Sequence, residues 1–124
     1  MFGEFIKERR QKLGYTLREF CKKHQLDPGN WSRLERGLSK PPQNDKILNE
    51  YASYLEIEHD SAEYRDLLDL AEFEQGKIPR DLLKDNELKN LLPLFFRTVR
   101  ETRPTEEDLI GIIEAVRSQY ESEN

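Results

Sequence analysis

Apolar residues return at three- and four-residue intervals along most of the chain, with charged residues between them, which is the spacing of helices that bury one side. Phe2, Phe5, Ile6 and Leu13 share one side of a first helix over residues 2–13, ended by Gly14. Two short helices are predicted in YTLREFCKKHQLDPGNWSRLERG, residues 15–37. Thr16 stands before Leu17, Phe20 and Cys21 with Glu19 three positions on, a capping box expected to satisfy two amide donors, with Tyr15 and Phe20 as its hydrophobic staple. Asp27 suits the next N-cap, Pro28 the first helical position, and Gly37 the left-handed site that closes a helix. Helices of about two turns each bury too little to stand alone, so their crossing must be their purpose, as in a helix-turn-helix. The tandem prolines of SKPPQND, residues 39–45, make a connection. A fourth helix then carries Ile47, Leu48, Tyr51, Ala52 and Leu55. A fifth, capped by Asp60 or Ser61, carries Tyr64, Leu67, Leu68 and Ala71.

QGKIP, residues 75–79, is the natural boundary. Beyond it Leu91, Leu92, Leu94, Phe95, Phe96 and Val99 form a dense apolar group, expected to be broken by Pro93 into two helical pieces. Thr105 with Asp108 caps a last helix bearing Leu109, Ile112, Ile113, Val116 and Tyr120 on one stripe. The expectation is an all-α chain, with a five-helix domain over residues 1–74 and a small helical domain over residues 80–124. Three short helices cannot cover so wide an apolar stripe alone, so part of it is expected to meet a second subunit or the first domain. The stripe from Leu109 to Tyr120 is the candidate dimerisation surface.

Charge sharpens this picture. The formal net charge is −5, but residues 1–40 hold ten Lys or Arg against five acids, a local +5 that leaves −10 for the rest. A basic end on an acidic body suits a protein that meets phosphate with one face only. No apolar run approaches the roughly 18 residues that span a bilayer, and a cytoplasmic protein is expected. The single cysteine, Cys21, reads as packing, and His24 and His59 come without a cluster of metal-ligand spacing. No nucleophile can be paired with a base and no glycine-rich phosphate loop occurs, so neither an enzyme nor a cofactor is expected.

Taking Trp31 as inward brings Leu34 and Glu35 to the same side and turns Gly29, Arg33 and Arg36 outward. Arg33 has the planar fork that matches guanine O6 and N7; Arg36, Lys40 and the Thr16 hydroxyl suit phosphate; Asn30 and Ser32 flank the exposed face. The stretch LGYTLREFCKKHQLDPGNWSRLERGLSKPP resembles the helix-turn-helix of phage-repressor (Xre/Cro-type) regulators. The resemblance spans roughly the first half of the chain. It implies binding to an operator in double-stranded DNA as a homodimer, and an ion pair between Arg10 and Glu35. Gln25 stands at the turn position usually held by Gly, and Leu17 where the family commonly has Gln. The Gln25 site would strain a left-handed backbone by ~1 to 2 kcal/mol.

The tail, IPRDLLKDNELKNLLPLFFRTVRETRPTEEDLIGIIEAVR, is similar to the C-terminal segment of short Xre-type repressors encoded beside ImmA/IrrE-type zinc metalloproteases. That similarity implies a metalloprotease partner and relief of repression by proteolysis, with the polar stretch VRETRP, and the Val99–Arg100 bond in particular, as the candidate cut. The alternative is an antitoxin whose C-terminal half masks a toxin and whose DNA binding autoregulates.

Overall fold

A computed structural model of the chain describes residues 1–123, apart from the side chain of Glu123. The described residues form helices and connections, with no strand: α1 (Phe2–Lys12), α2 (Leu17–His24), α3 (Pro28–Glu35), α4 (Asp45–Tyr54), α5 (Ala62–Glu74), α6 (Arg80–Leu83), α7 (Asn86–Thr102) and α8 (Glu106–Glu123). They fall into two compact units, Met1–Arg80 and the residues from Asp81 on.

The first unit owns every buried side chain among the described residues. Phe2 and Ile6 from α1 meet Phe20 and Cys21 from α2, Trp31 and Leu34 from α3, Leu48 and Ala52 from α4, Leu55 and Ile57 beyond it, and Leu67 and Ala71 from α5. The close crossings are α1 with α3 and α5, α2 with α3, and α4 with α5. The first of these depends on an absent side chain. A Cβ on Gly3 would lie 2.4 Å from the Glu35 carbonyl oxygen and 2.5 Å from that of Leu34, so only glycine lets α1 rest on the last turn of α3. Arg9 fastens α1 to the end of α4, donating to the carbonyls of Leu55 (2.9 Å) and Glu56 (2.8 Å) while pairing with Glu63 at 3.1 Å.

The capping box at α2 closes differently from expectation. Thr16 Oγ1 accepts from the Glu19 amide (3.2 Å), but its own proton goes to the Glu19 carboxylate (3.1 Å), so one amide is satisfied and not two. The Tyr15–Phe20 staple forms, with ring centroids 6.3 Å apart. The segment 75–79 does not divide the units. Gln75 Nε2 donates to the Pro41 carbonyl (2.8 Å), the Lys77 amide to Glu72 (3.0 Å) and Lys77 Nζ to Gln43 (2.9 Å), which bind it to the first unit and move the division to Arg80.

In the second unit two expectations are corrected. Pro93 does not split the Leu/Phe segment: α7 runs through it from Asn86 to Thr102. A proline removes one amide donor and crowds one carbonyl, which a 17-residue helix absorbs when its ends are secured. Here Asp85 accepts from the Leu88 amide (3.0 Å), and Arg103, at φ +45°, donates its amide to Val99 (2.8 Å). For the same reason Val99 and Arg100 lie inside α7, with Val99 half-buried, and not in a polar linker. At α8 the box is reciprocal: Thr105 donates its amide to Asp108 (3.0 Å) and Thr105 Oγ1 accepts from the Asp108 amide (3.1 Å). Leu109 is half-buried, whereas Ile112, Ile113, Val116 and Tyr120 are exposed.

Candidate nucleic-acid interface

α3 is clamped from behind. Trp31, Leu34 and Glu35 are buried, and the Glu35 carboxylate accepts from Arg10 Nε (2.7 Å), Arg10 Nη2 (2.9 Å) and Trp31 Nε1 (2.8 Å). Arg10 Nη1 donates in addition to the Tyr15 carbonyl (2.8 Å), so one guanidinium joins α1, the start of α2 and the end of α3. The hydrogen bonds it donates to Glu35 hold Arg10 above its ordinary pKa against the opposing effect of burial. Such a two-pronged pair is directional and fixes the rotation of α3 about its axis. At the other end Asp27 accepts from the Asn30 amide (2.8 Å), with Pro28 next to it at the first helical position.

With the inner side fixed, the outer side follows. Arg33 is exposed, and Asn30 and Arg36 lie about 60° to either side of it. Ser32 is half-buried, and Arg36 Nε reaches back to the Ser32 carbonyl (3.4 Å), so Arg36 lies along its own helix end. Lys40 is exposed in the connection after Gly37 and is not part of the α3 face. Thr16 is exposed at the start of α2, but its proton is committed to Glu19. A phosphate oxygen needs a donor, and a neighbouring carboxylate repels it. Arg18 is exposed in the first turn of α2, and its guanidinium carries only donors.

Burial pushes the Cys21 thiol up in pKa, which leaves it protonated and packed against its neighbours. Among the described residues no three His, Cys, Asp or Glu side chains gather as a metal site would require, and no helix is long and apolar enough to cross a membrane. Compared with family models, curated proteins and solved structures, the chain matches none.

Proposed function

We propose that this protein is a sequence-specific DNA-binding transcriptional repressor of the phage-repressor (Xre/Cro-type) helix-turn-helix kind, acting in the cytoplasm as a homodimer on a palindromic operator. The observation that carries this reading is α3 itself: a short helix locked to the body through Trp31, Leu34 and Glu35, with Arg33 outward between Asn30 and Arg36. In this reading α2 crosses the phosphate backbone while α3 enters the major groove. Arg33 reads a base edge; Arg18, Arg36 and Lys40 meet phosphates; Pro28 and Gly29 at the head of α3 offer no polar side chain, so DNA shape contributes to selectivity. One short helix reads few base pairs, and two related by a twofold axis read half-sites about one DNA turn apart. Proteolysis in the second unit would relieve repression, and because Val99–Arg100 is helical, a protease cutting there must first unwind the end of α7.

The test is selection of bound sequences from random DNA, followed by titration of the enriched site. Arg33→Ala is expected to weaken the selected site by ~1 to 3 kcal/mol and random DNA much less. Arg36→Ala should weaken both and flatten the salt dependence by about one unit. Equal losses for Arg33→Ala on both DNAs would remove the base-reading assignment.

The exposed apolar surface of the second unit favours a second reading, an antitoxin that covers a toxin with it. A stable 1:1 complex with a small basic protein encoded alongside would select that reading.

A further inference from the structure

α7 carries more apolar surface than one neighbour can cover. Leu88, Leu92 and Val99 form a half-buried strip, while Phe95, Leu91 and Leu94 stand about 60 to 160° round the helix from Leu92 and are exposed. On α8, Ile112, Ile113 and Val116 are exposed as well. These six side chains are between 48% and 61% exposed, and no described residue from Asp81 on is buried. Helices in proteins, here of 17 and 18 residues and the first with a proline inside, draw most of their stability from tertiary packing of an apolar face. The second unit therefore has helices without the core that would hold them.

We propose that α7 and α8 of two copies of this chain pack into one four-helix bundle, in which Leu91, Leu94 and Phe95 of α7 are as central as Ile112, Ile113 and Val116 of α8. An aromatic side chain exposes on the order of 150–250 Å² when free, and Leu, Ile and Val somewhat less. Six of them half-exposed, with Phe96 and Ile110 beside them, offer roughly 800 Å². A standard stable interface buries about 800 Å² on each partner. A second copy brings an identical ridge, so a twofold contact covers both at once. Ordinary four-helix bundles use this geometry, with two facing helices for each helix and so a wide apolar arc on each. The inference rests on the repressor reading, in which two first units must be held together, and it extends the pairing surface from α8 to α7.

Sedimentation equilibrium of the full chain without DNA tests it, with fluorescence of the only tryptophan, Trp31, reporting the fold of the first unit separately. The wild type should run at twice the 14.8 kDa chain mass. Leu94→Glu and Ile113→Glu should each weaken association by at least about 30-fold with the Trp31 signal unchanged. Phe73→Glu, at an exposed apolar side chain of the first unit, should leave the dimer intact. A monomeric wild type, a Leu94→Glu variant that dimerises normally, or a dimer broken by Phe73→Glu would each overturn the proposal. A dimer with no sequence preference on DNA would remove the repressor reading and leave the bundle standing. A monomer that still selects one DNA sequence would do the reverse.

Discussion

Glu35 holds three donors in a site where it is 7% exposed, and the cost of removing it follows from what it leaves behind. Glu35→Ala strands the Arg10 charge, itself 6% exposed, and unpairs the Trp31 indole, so a loss of ~3 to 5 kcal/mol is expected in denaturant titration followed by Trp31 fluorescence. Arg10→Met with Glu35→Leu removes both charges together and should cost far less than the two single changes summed. His24 yields a pH prediction. Its ring stacks on Tyr54 at 4.7 Å and meets the edge of Phe20 at 4.8 Å, and its Nε2 is buried without a hydrogen-bond partner. Burial first, and then the charge of Lys23, lower its pKa, with Glu56 opposing. The folded state thus keeps a neutral ring while the unfolded chain takes up a proton as pH falls through about 6.5. Stability should be full above that pH and decline below it, until the folded ring protonates too. Thermal melts at roughly pH 7.5 and 5.5 should show this decline, and His24→Gln should flatten it. At this scale the ion pair was legible because the resemblance names both partners, and the tryptophan bond adds to it along one turn of α3. Gly3 was not legible, since nothing in a local pattern separates a glycine that admits another helix from one that is merely tolerated.

The turn between α2 and α3 carries a cost that the resemblance implies, since Gln25 stands where the family usually has Gly. Gln25 adopts φ +57° and ψ +45°, and the Leu26 amide closes on Cys21 at 2.8 Å. A side chain in that left-handed conformation costs ~1 to 2 kcal/mol. Gln25→Gly removes this strain but loses about 0.5 to 1 kcal/mol through the freer unfolded chain, for a net gain near ~0.5 to 1 kcal/mol. A rise of a few degrees in Tm should follow, measured on the Trp31 signal. Helix starts were the most readable elements, because Thr16, Asp27, Ser61 and Thr105 each accept from the amide three residues on, an interaction local enough to be written in consecutive letters. The Pro93 helix was misread for a complementary reason. Proline's intrinsic penalty is visible in the sequence, whereas its outcome depends on whether the flanking turns are anchored, here by Asp85 and Arg103.

The division of the whole molecule was legible to within a few residues, and the error has a cause. Gly76 and Pro79 mark a break, but Gln75 and Lys77 reach back to Pro41 and Gln43, over 34 residues of chain, and such ties leave no periodic trace. They decide where the protein can be cut. A chain ending at residue 80 keeps every buried side chain and all the close helix crossings, so it should melt cooperatively with Trp31 in its native surroundings. A chain ending at residue 74 loses both ties and should melt lower. The chain ending at residue 80 lacks α7 and α8, and under the proposed function it must engage two half-sites as separate molecules. The advantage of linkage, ~10² or more in apparent affinity, should then disappear, while the salt dependence per half-site stays the same. Titration of the two truncated chains and the full chain against one selected operator, alongside their melts, separates the two effects. A chain ending at residue 80 that is monomeric and binds as tightly as the full protein would show that the second unit serves something other than pairing, because the DNA interface proposed for α3 lies wholly within the first unit.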